Sequence, residues 1–232
     1  MALYTIADLH LSLGADKPMD VFGGAWDGYL DKLKTNLACL RKEDTLVIPG
    51  DLSWGISLEE SLPDFRFLDN LPGRKLLVKG NHDLWWETAA KMKRFFAANG
   101  ITSIDFIHNN CHMYRNTALC GTRGWFFEEE TGGMHDEKIM NREIGRLKTS
   151  LDAAKNTDAE RIYCFMHYPP LFGKYKCPRI AELLSQYGVS RCFYGHLHAE
   201  SHKRAFEGMY GGVEYVLVAA DYLNFNPILV MN

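Results

Sequence analysis

Short apolar runs in this chain end in one recurrent way: histidine, aspartate, asparagine or glycine begins to appear within two residues of the last apolar residue. The length of these runs and their content of branched and aromatic residues predict buried strands. They are residues 3–7, 45–48, 75–78, 161–166 and 191–194. Amphipathic stretches at 26–42, 58–71 and 84–98 predict helices after the first three runs. This alternation constrains the fold most, because βαβαβα order produces a largely parallel first sheet.

The second half of the chain changes character. Strands joined by tight turns are predicted at 104–107, 111–115 and 117–121. Helices are predicted at 136–154 and 179–187, and a further strand at 214–219. We therefore expect two sheets packed face to face with helices outside. No linker, repeat or low-complexity segment interrupts the chain, so a single domain over residues 1–232 is expected.

The polar residues after the strands are of types that bind divalent metals. Ligands bind at the carboxyl ends of strands in α/β sheets, and an x-separated pair such as Asp8 and His10 points to one side of an extended segment. The mixture of carboxylate, amide and imidazole suits Mn, Fe, Zn or Mg. Seven candidates exceed the needs of one open site, so two metal ions are predicted, with Asp51 as the bridging carboxylate. The candidates are Asp8, His10, Asp51, Asn81, His167, His196 and His198.

These residues belong to five motifs with a recognisable order and spacing. The motifs are Asp8-Leu9-His10, Gly50-Asp51, Gly80-Asn81-His82-Asp83, His167 and Gly195-His196-Leu197-His198. Together they resemble the calcineurin-like metallophosphoesterase family. The resemblance implies an α/β fold, a four-layer α/β/β/α sandwich of two mixed sheets flanked by helices. It also implies that one metal is held by Asp8, His10, Asp51 and His198, and the other by Asp51, Asn81, His167 and His196.

The chemistry expected of such a centre is hydrolysis of phosphate esters. Two metal ions about 3.5–4 Å apart lower the pKa of a shared water and clamp the phosphoryl oxygens. The resulting hydroxide would attack phosphorus in line, and Asp51 is therefore counted with the catalytic residues. The same resemblance implies that His82 protonates the leaving alkoxide or stabilises transition-state charge. Two roles are open for Asp83: it caps the helix predicted at 84–98, or it orients the His82 imidazole. Capping is slightly favoured, because Asp is a preferred N-cap residue.

The residues after Asp51 narrow the substrate class. Protein phosphatases of this superfamily carry a second Asp and an Arg shortly after the Gly-Asp motif, whereas this chain continues Leu52-Ser53-Trp54-Gly55. The opening Asp8-Leu9-His10-Leu11 resembles small phosphodiesterases, including the cyclic-nucleotide type. A small phosphodiester, nucleotides included, is the first expectation and a phosphomonoester the second. The alternatives are a nuclease and a non-catalytic metal-binding scaffold of the same fold, although a scaffold would be expected to lack ligands.

Several residues near the motifs leave two interpretations open. Arg123 follows a predicted strand, and it either pairs with a substrate phosphate or forms a structural salt bridge. For the tryptophans beside the motifs, core packing is favoured over a wall that stacks a flat substrate group. They are Trp54, Trp85 and Trp86. His202 is expected on a solvent-facing loop, and residues 128–130 are expected to form a solvated acidic face before the flexible pair Gly132-Gly133.

Charge and composition exclude some partners. The net charge is -3 and no Lys/Arg-rich tract is present, which disfavours nucleic acid. No signal-peptide pattern opens the chain, and no run approaches the roughly 18 apolar residues of a membrane helix. The six cysteines are scattered without a C-x-x-C pair and are expected to be buried thiols in a reducing cytoplasm. We expect a cytoplasmic protein that acts on a small phosphorylated substrate without a membrane partner; its oligomeric state is left open.

Overall fold

Two mixed β-sheets form the centre of the structure, a computed structural model that describes residues 1–126, 134–173 and 175–232. The strands of the first sheet are β1 (Leu3–Thr5), β2 (Thr45–Pro49), β3 (Arg74–Val78), β4 (Ile104–Phe106) and β13 (Ile228–Met231). Their order across the sheet is β13-β1-β2-β3-β4. Strands β1 to β4 are parallel, and β13 closes one edge antiparallel to β1.

The second sheet has six strands. They are β5 (His112–Tyr114), β6 (Thr117–Thr122), β7 (Arg161–Met166), β10 (Val189–Tyr194), β11 (Gly208–Tyr210) and β12 (Val213–Leu217). The order β11-β12-β10-β7-β6-β5 has a parallel centre and antiparallel edges. A separate short hairpin consists of β8 (Leu171–Phe172) and β9 (Tyr175–Lys176).

Five α-helices of the described residues lie outside the sheets. They are α1 (Tyr29–Leu37), α2 (Leu62–Asp69), α3 (Ala89–Ala98), α4 (Met134–Lys155) and α5 (Pro178–Gln186). Three 3₁₀ turns, at Met19–Phe22, Gly24–Trp26 and Ala199–Arg204, complete the helical segments. The first three helices join the parallel strands of the first sheet, as the alternating sequence pattern predicts. None of the described helices has the length and apolar character needed to cross a membrane.

Three apolar interfaces separate the layers. Strand β2 contributes to two of these interfaces. Val47 packs between the two sheets, whereas Leu46 and Ile48 pack against the helices of the first sheet. In β7, Phe165 faces the same central interface and Cys164 faces α4 and α5. Strands buried on both faces need continuous apolar runs, and successive side chains point to opposite faces. The predicted α/β fold with two mixed sheets flanked by helices is confirmed.

The predicted first residues of helices α1, α2 and α3 were wrong, because each helix begins later in the chain than predicted. Helix α3 begins at Ala89, not at residue 84, because the Thr88 side chain caps it by accepting from the Lys91 N–H at 3.3 Å. The segment before Thr88 instead brings Trp85 into the core, where it is 1% exposed. Helices α1 and α2 are likewise shorter than their predicted stretches. Four of the six cysteines are buried as expected, but Cys39 is exposed and Cys111 is partly exposed.

Candidate metal centre

The carboxyl ends of five parallel strands bring the predicted ligands to one edge of the structure. Strands β1, β2 and β3 supply this edge from the first sheet, and β7 and β10 from the second. The two sheets meet here, because the Ala7 N–H donates to the carbonyl of Val218 at 2.7 Å. All seven predicted metal ligands lie together at this edge: Asp8, His10, Asp51, Asn81, His167, His196 and His198.

Glycines allow the backbone to come close to these side chains. A Cβ at Gly80 would lie 2.0 Å from Asp51 Oδ1, and a Cβ at Gly195 would lie 2.3 Å from Asp8 Oδ2. Both distances are far below a van der Waals contact, so any larger residue would displace the carboxylate. The glycines of these two motifs are therefore explained by close approach to a candidate ligand.

Four candidate ligands themselves have a left-handed backbone. The φ angles are 60° at Asp8, 45° at His10, 50° at Asp51 and 72° at His196. This conformation is disfavoured for residues other than glycine and concentrates at functional sites. Backbone hydrogen bonds hold it, since the Asp8 N–H donates to the Gly50 carbonyl and the His10 N–H to the Asp51 carbonyl, both at 3.0 Å.

One group of ligand atoms consists of Asp8, His10 and His198. His10 Nε2 lies 3.3 Å from His198 Nε2, and His198 Nε2 lies 3.9 Å from Asp8 Oδ1. The Asp8 Oδ1 atom is buried and accepts no hydrogen bond from any described residue. A buried carboxylate oxygen without a donor is costly unless a cation neutralises it.

A second group consists of Asn81, His167 and His196. Asn81 Oδ1 lies 2.5 Å from His167 Nε2 and 2.9 Å from His196 Nδ1, and the two imidazole nitrogens are 3.2 Å apart. The His167 Nδ1 atom lies 3.3 Å from the Pro49 carbonyl, to which it can donate. That hydrogen bond leaves the lone pair of Nε2 directed at the amide oxygen and at the other imidazole.

Asp51 lies between the two groups. Its Oδ2 atom is 3.8 Å from His10 Nε2 and 3.5 Å from His167 Nε2. Its other oxygen, Oδ1, accepts the His82 N–H at 2.8 Å and is thereby fixed in place. Asp51 Oδ2 thus lies near an imidazole nitrogen of each group, which is the position expected of a bridging ligand.

Burial dominates the electrostatics of the centre. It raises the pKa of Asp8 well above its ordinary value and that of Asp51 to about 6. Burial also lowers the pKa of His10 and His167 well below the usual range and that of His196 to about 2. These three imidazoles are therefore neutral, which is the form that binds metals. Mixed imidazole, carboxylate and amide donors of this kind fit divalent cations.

Asp83 corrects a sequence prediction, because it neither caps a helix nor contacts the His82 ring. Its carboxylate is completely buried and accepts five hydrogen bonds. Four come from backbone N–H groups, those of Asp51, Leu52, Ser53 and Gly80, and one from the indole of Trp85. Asp83 thus fixes the loops that carry two of the motifs.

Asp221 is the functional residue that the sequence interpretation missed. Its Oδ1 atom accepts from His198 Nδ1 at 2.8 Å, which leaves His198 Nε2 free to bind a metal. His202 was expected to face solvent, but its Nε2 atom lies 3.3 Å from Asp221 Oδ2. The sequence held a usable signal, because Asp221 follows the apolar run of β12 just as the other site residues follow theirs.

The three tryptophans beside the motifs do not share one environment: two pack in the core, and the third lies at the site. Trp85 and Trp86 are buried in the core, as favoured. Trp54 is only partly buried, and its ring centroid lies 4.4 Å from that of His82 and 5.0 Å from that of His10. His82 is half-buried and stands beside the two metal groups without joining either. Trp54 therefore packs directly against the site.

Arg123 has a protein partner. Its NH2 atom lies 3.5 Å from Glu143 Oε1, and its guanidinium lies 5.1 Å from the ring centroid of Trp125. Its Nε atom has no partner among the described residues. The structural salt bridge is present, and the substrate contact stays a prediction. The acidic run at 128–130 and the pair at 132–133 lie outside the described residues.

Comparison with known proteins agrees with this geometry. A family model described as calcineurin-like phosphoesterase matches residues 1–200. No curated protein matches the chain. The protein of unknown function AQ665 from Aquifex aeolicus is 19% identical with a TM-score of 0.50, over 98% of this chain and 95% of that one.

Two further solved structures share the fold. Phosphopantetheinyl hydrolase (PptH) from Mycobacterium tuberculosis is 14% identical with a TM-score of 0.60, over 99% of this chain and 95% of that one. TT1561 of Thermus thermophilus is 13% identical with a TM-score of 0.57, over 99% and 97%. The family model spans most of the chain, and buried aspartates and histidines converge at the edge where the sequence motifs predict a metal site. The chain therefore belongs to the calcineurin-like phosphoesterase family, whose members use two divalent metal ions to hydrolyse phosphate esters.

Proposed function

We propose that this chain hydrolyses small phosphate esters, phosphodiesters first and phosphomonoesters second, nucleotides included. The observation that supports it best is the position of Asp51, whose Oδ2 atom lies within 3.8 Å of imidazole nitrogens from both groups. Bound there, two divalent ions of Mn, Fe, Zn or Mg would activate a water as the nucleophile and clamp the phosphoryl oxygens.

The residues have separate tasks in this proposal. One metal is held by Asp8, His10, Asp51 and His198, and the other by Asp51, Asn81, His167 and His196. His82 gives a proton to the leaving oxygen as the bond from phosphorus to that oxygen breaks. The contact of Trp54 with the His82 ring keeps the imidazole beside the centre. The missing Asp and Arg after Asp51 argue against phosphoproteins as substrates.

The experiment compares three variants of the full chain loaded with Mn²⁺. The substrates are an aryl phosphodiester, an aryl phosphomonoester, cyclic nucleotides and a phosphopantetheine ester, the last because one structural neighbour is named a phosphopantetheinyl hydrolase. We expect His82→Ala to lower kcat about 10²–10⁴-fold while metal content is retained. Asp51→Ala is expected to lose both activity and metal. His135→Ala, an exposed histidine at the start of α4, is the matched control and should keep both.

Two outcomes would count against the assignment. A loss of less than tenfold in His82→Ala or Asp51→Ala would contradict the roles given to them. A chain that binds metal stoichiometrically and hydrolyses no ester of the panel would be a scaffold of the same fold.

A further inference from the structure

An apolar cleft of about 340 Å³ opens beside the metal centre. One wall is Trp54, and the others come from the segment that joins β1 to α1, including Met19, Val21 and Phe22. Its volume falls in the range of small-ligand sites, which begins at about 300 Å³.

The cleft begins where the leaving group of a substrate would be. The Trp54 ring contacts His82, the residue proposed to protonate the leaving oxygen, with ring centroids 4.4 Å apart. The Trp54 indole N–H points to Met19 Sδ at 3.2 Å, so that the ring is held between the metal centre and the cleft. A group bonded to the leaving oxygen would therefore extend from His82 along Trp54.

The outer lip of the cleft is apolar and exposed. Val21 is 75% exposed and Phe22 is 70% exposed, although both side chains are hydrophobic. Adjacent exposed apolar residues beside a cleft are typical of a binding surface. Asp16 and Lys17 also line the cleft, and the Lys17 ammonium lies 4.9 Å from the Trp54 ring centroid, so a bound aromatic ring beside Trp54 would have this cation near its face as well.

We propose that this cleft binds the leaving group of the substrate and selects flat, apolar ring systems over small alcohols. This inference rests on the proposed phosphoester hydrolysis and names its substrate class. Trp54 supplies a rigid aromatic wall, and Phe22 and Val21 cover the far end of the bound ring system. During hydrolysis the water oxygen bonds to phosphorus, the bond to the aryl oxygen breaks, and His82 gives that oxygen its proton.

The first test uses two phosphate monoesters, phenyl phosphate and 2-naphthyl phosphate, whose leaving alcohols have similar acidity. The ratio of their kcat/KM values is measured for the Mn²⁺-loaded full chain and for the double variant Val21→Ser/Phe22→Ser. We expect the wild-type chain to prefer the naphthyl ester, because buried apolar area favours binding. The ratio of kcat/KM for the naphthyl ester to that for the phenyl ester should be about fivefold lower in the double variant. Leu229→Ser, an exposed leucine on β13, is the matched control and should keep the wild-type ratio.

The second test does not depend on turnover. Binding of 2-naphthol to the chelator-treated full chain is measured by titration calorimetry, and the double variant should bind about fivefold more weakly. The cleft assignment would be overturned if wild type and double variant had the same kcat/KM ratio and bound 2-naphthol equally well. It would also be overturned if the only effect of the substitutions were a change in oligomeric state. If the wild-type chain hydrolysed no ester but the double variant still lost 2-naphthol binding, the cleft would remain assigned as a binding site and the proposed hydrolysis would be refuted.

Discussion

Asp83 lies behind the first-sheet half of the centre, and Asp221 lies behind the second-sheet half. Asp83 accepts from four backbone N–H groups and one indole, all of them neutral. Asp221 accepts from the imidazole of His198 and from the Ala199 N–H, and its Oδ2 atom lies 3.3 Å from His202 Nε2. The first carboxylate therefore fixes a backbone path, and the second fixes side-chain rings.

The difference is visible in their electrostatics. Burial, reinforced by the charge of Asp51, raises the pKa of Asp83 to about 7 despite its backbone donors. Burial acts in the same direction on Asp221, but the hydrogen bond from His198 and the nearby imidazole of His202 outweigh it and lower the pKa of Asp221 well below the usual range. We infer that Asp83 supports folding of the loops, whereas Asp221 supports the ligand geometry of one metal site.

The largest expected effect is on folding. Asp83→Ala leaves five buried donors without an acceptor, and each unsatisfied group costs about 1–3 kcal/mol. We expect a loss of about 4 kcal/mol or more in the free energy of unfolding, measured by urea denaturation with a chelator present. Asp31→Ala, an exposed aspartate paired with Lys34, is the control and should cost less than about 1 kcal/mol. Comparable costs for both variants would refute the structural role of Asp83.

Sequence periodicity was sufficient for most of the fold. Apolar runs buried on both faces are distinctive, and β7 coincides with the predicted 161–166. The motifs follow such runs, so the seven candidate ligands could be selected from strand placement together with residue type. The short edge strands β11 and β13 were not predicted.

The supporting carboxylates required the tertiary structure. Asp83 stands before an apolar stretch, where a helix cap is the usual role, and only the folded chain shows Trp85 turning into the core instead. Asp221 is 23 residues beyond His198 in the chain, although their side chains are hydrogen-bonded. The hydrogen-bonding partners of a carboxylate depend on how the sheets join, and local sequence does not encode that.

A second prediction separates the two carboxylates by pH. The folded-state pKa of Asp83 is raised from 3.8 to about 7, so the proton-linked part of its contribution to stability is complete below pH 3.8 and is lost as pH rises to about 7. Burial lowers the pKa of His198, but the Asp221 hydrogen bond outweighs burial and raises that pKa from 6.5 to about 9. The pair of Asp221 and His198 therefore stabilises the fold most between pH 4 and 6.5, and this contribution declines towards pH 9.

The measurement is the unfolding free energy of the chelated chain from pH 4 to pH 9, for wild type, Asp83→Asn and Asp221→Asn. Subtracting each variant from wild type removes most of the titration of the other groups. The cost of Asp83→Asn should shrink between pH 4 and 7, and that of Asp221→Asn between pH 6.5 and 9, each by roughly 3 kcal/mol. Decline of both costs in one pH window would show that the two carboxylates titrate as one system.

The smallest expected effect is on metal affinity. Asp221→Ala removes the acceptor that orients His198, and loss of such a partner typically weakens metal binding about 10–100-fold. The measurement is Mn²⁺ titration calorimetry, in which one of the two sites should bind more weakly than in wild type. His202→Ala is the matched control: His202 contacts the same carboxylate but is not a candidate ligand of either group, so the expected loss is below about threefold. Equal losses in both variants would mean that the three side chains act as one unit, and unchanged affinity in Asp221→Ala would mean that packing alone orients His198.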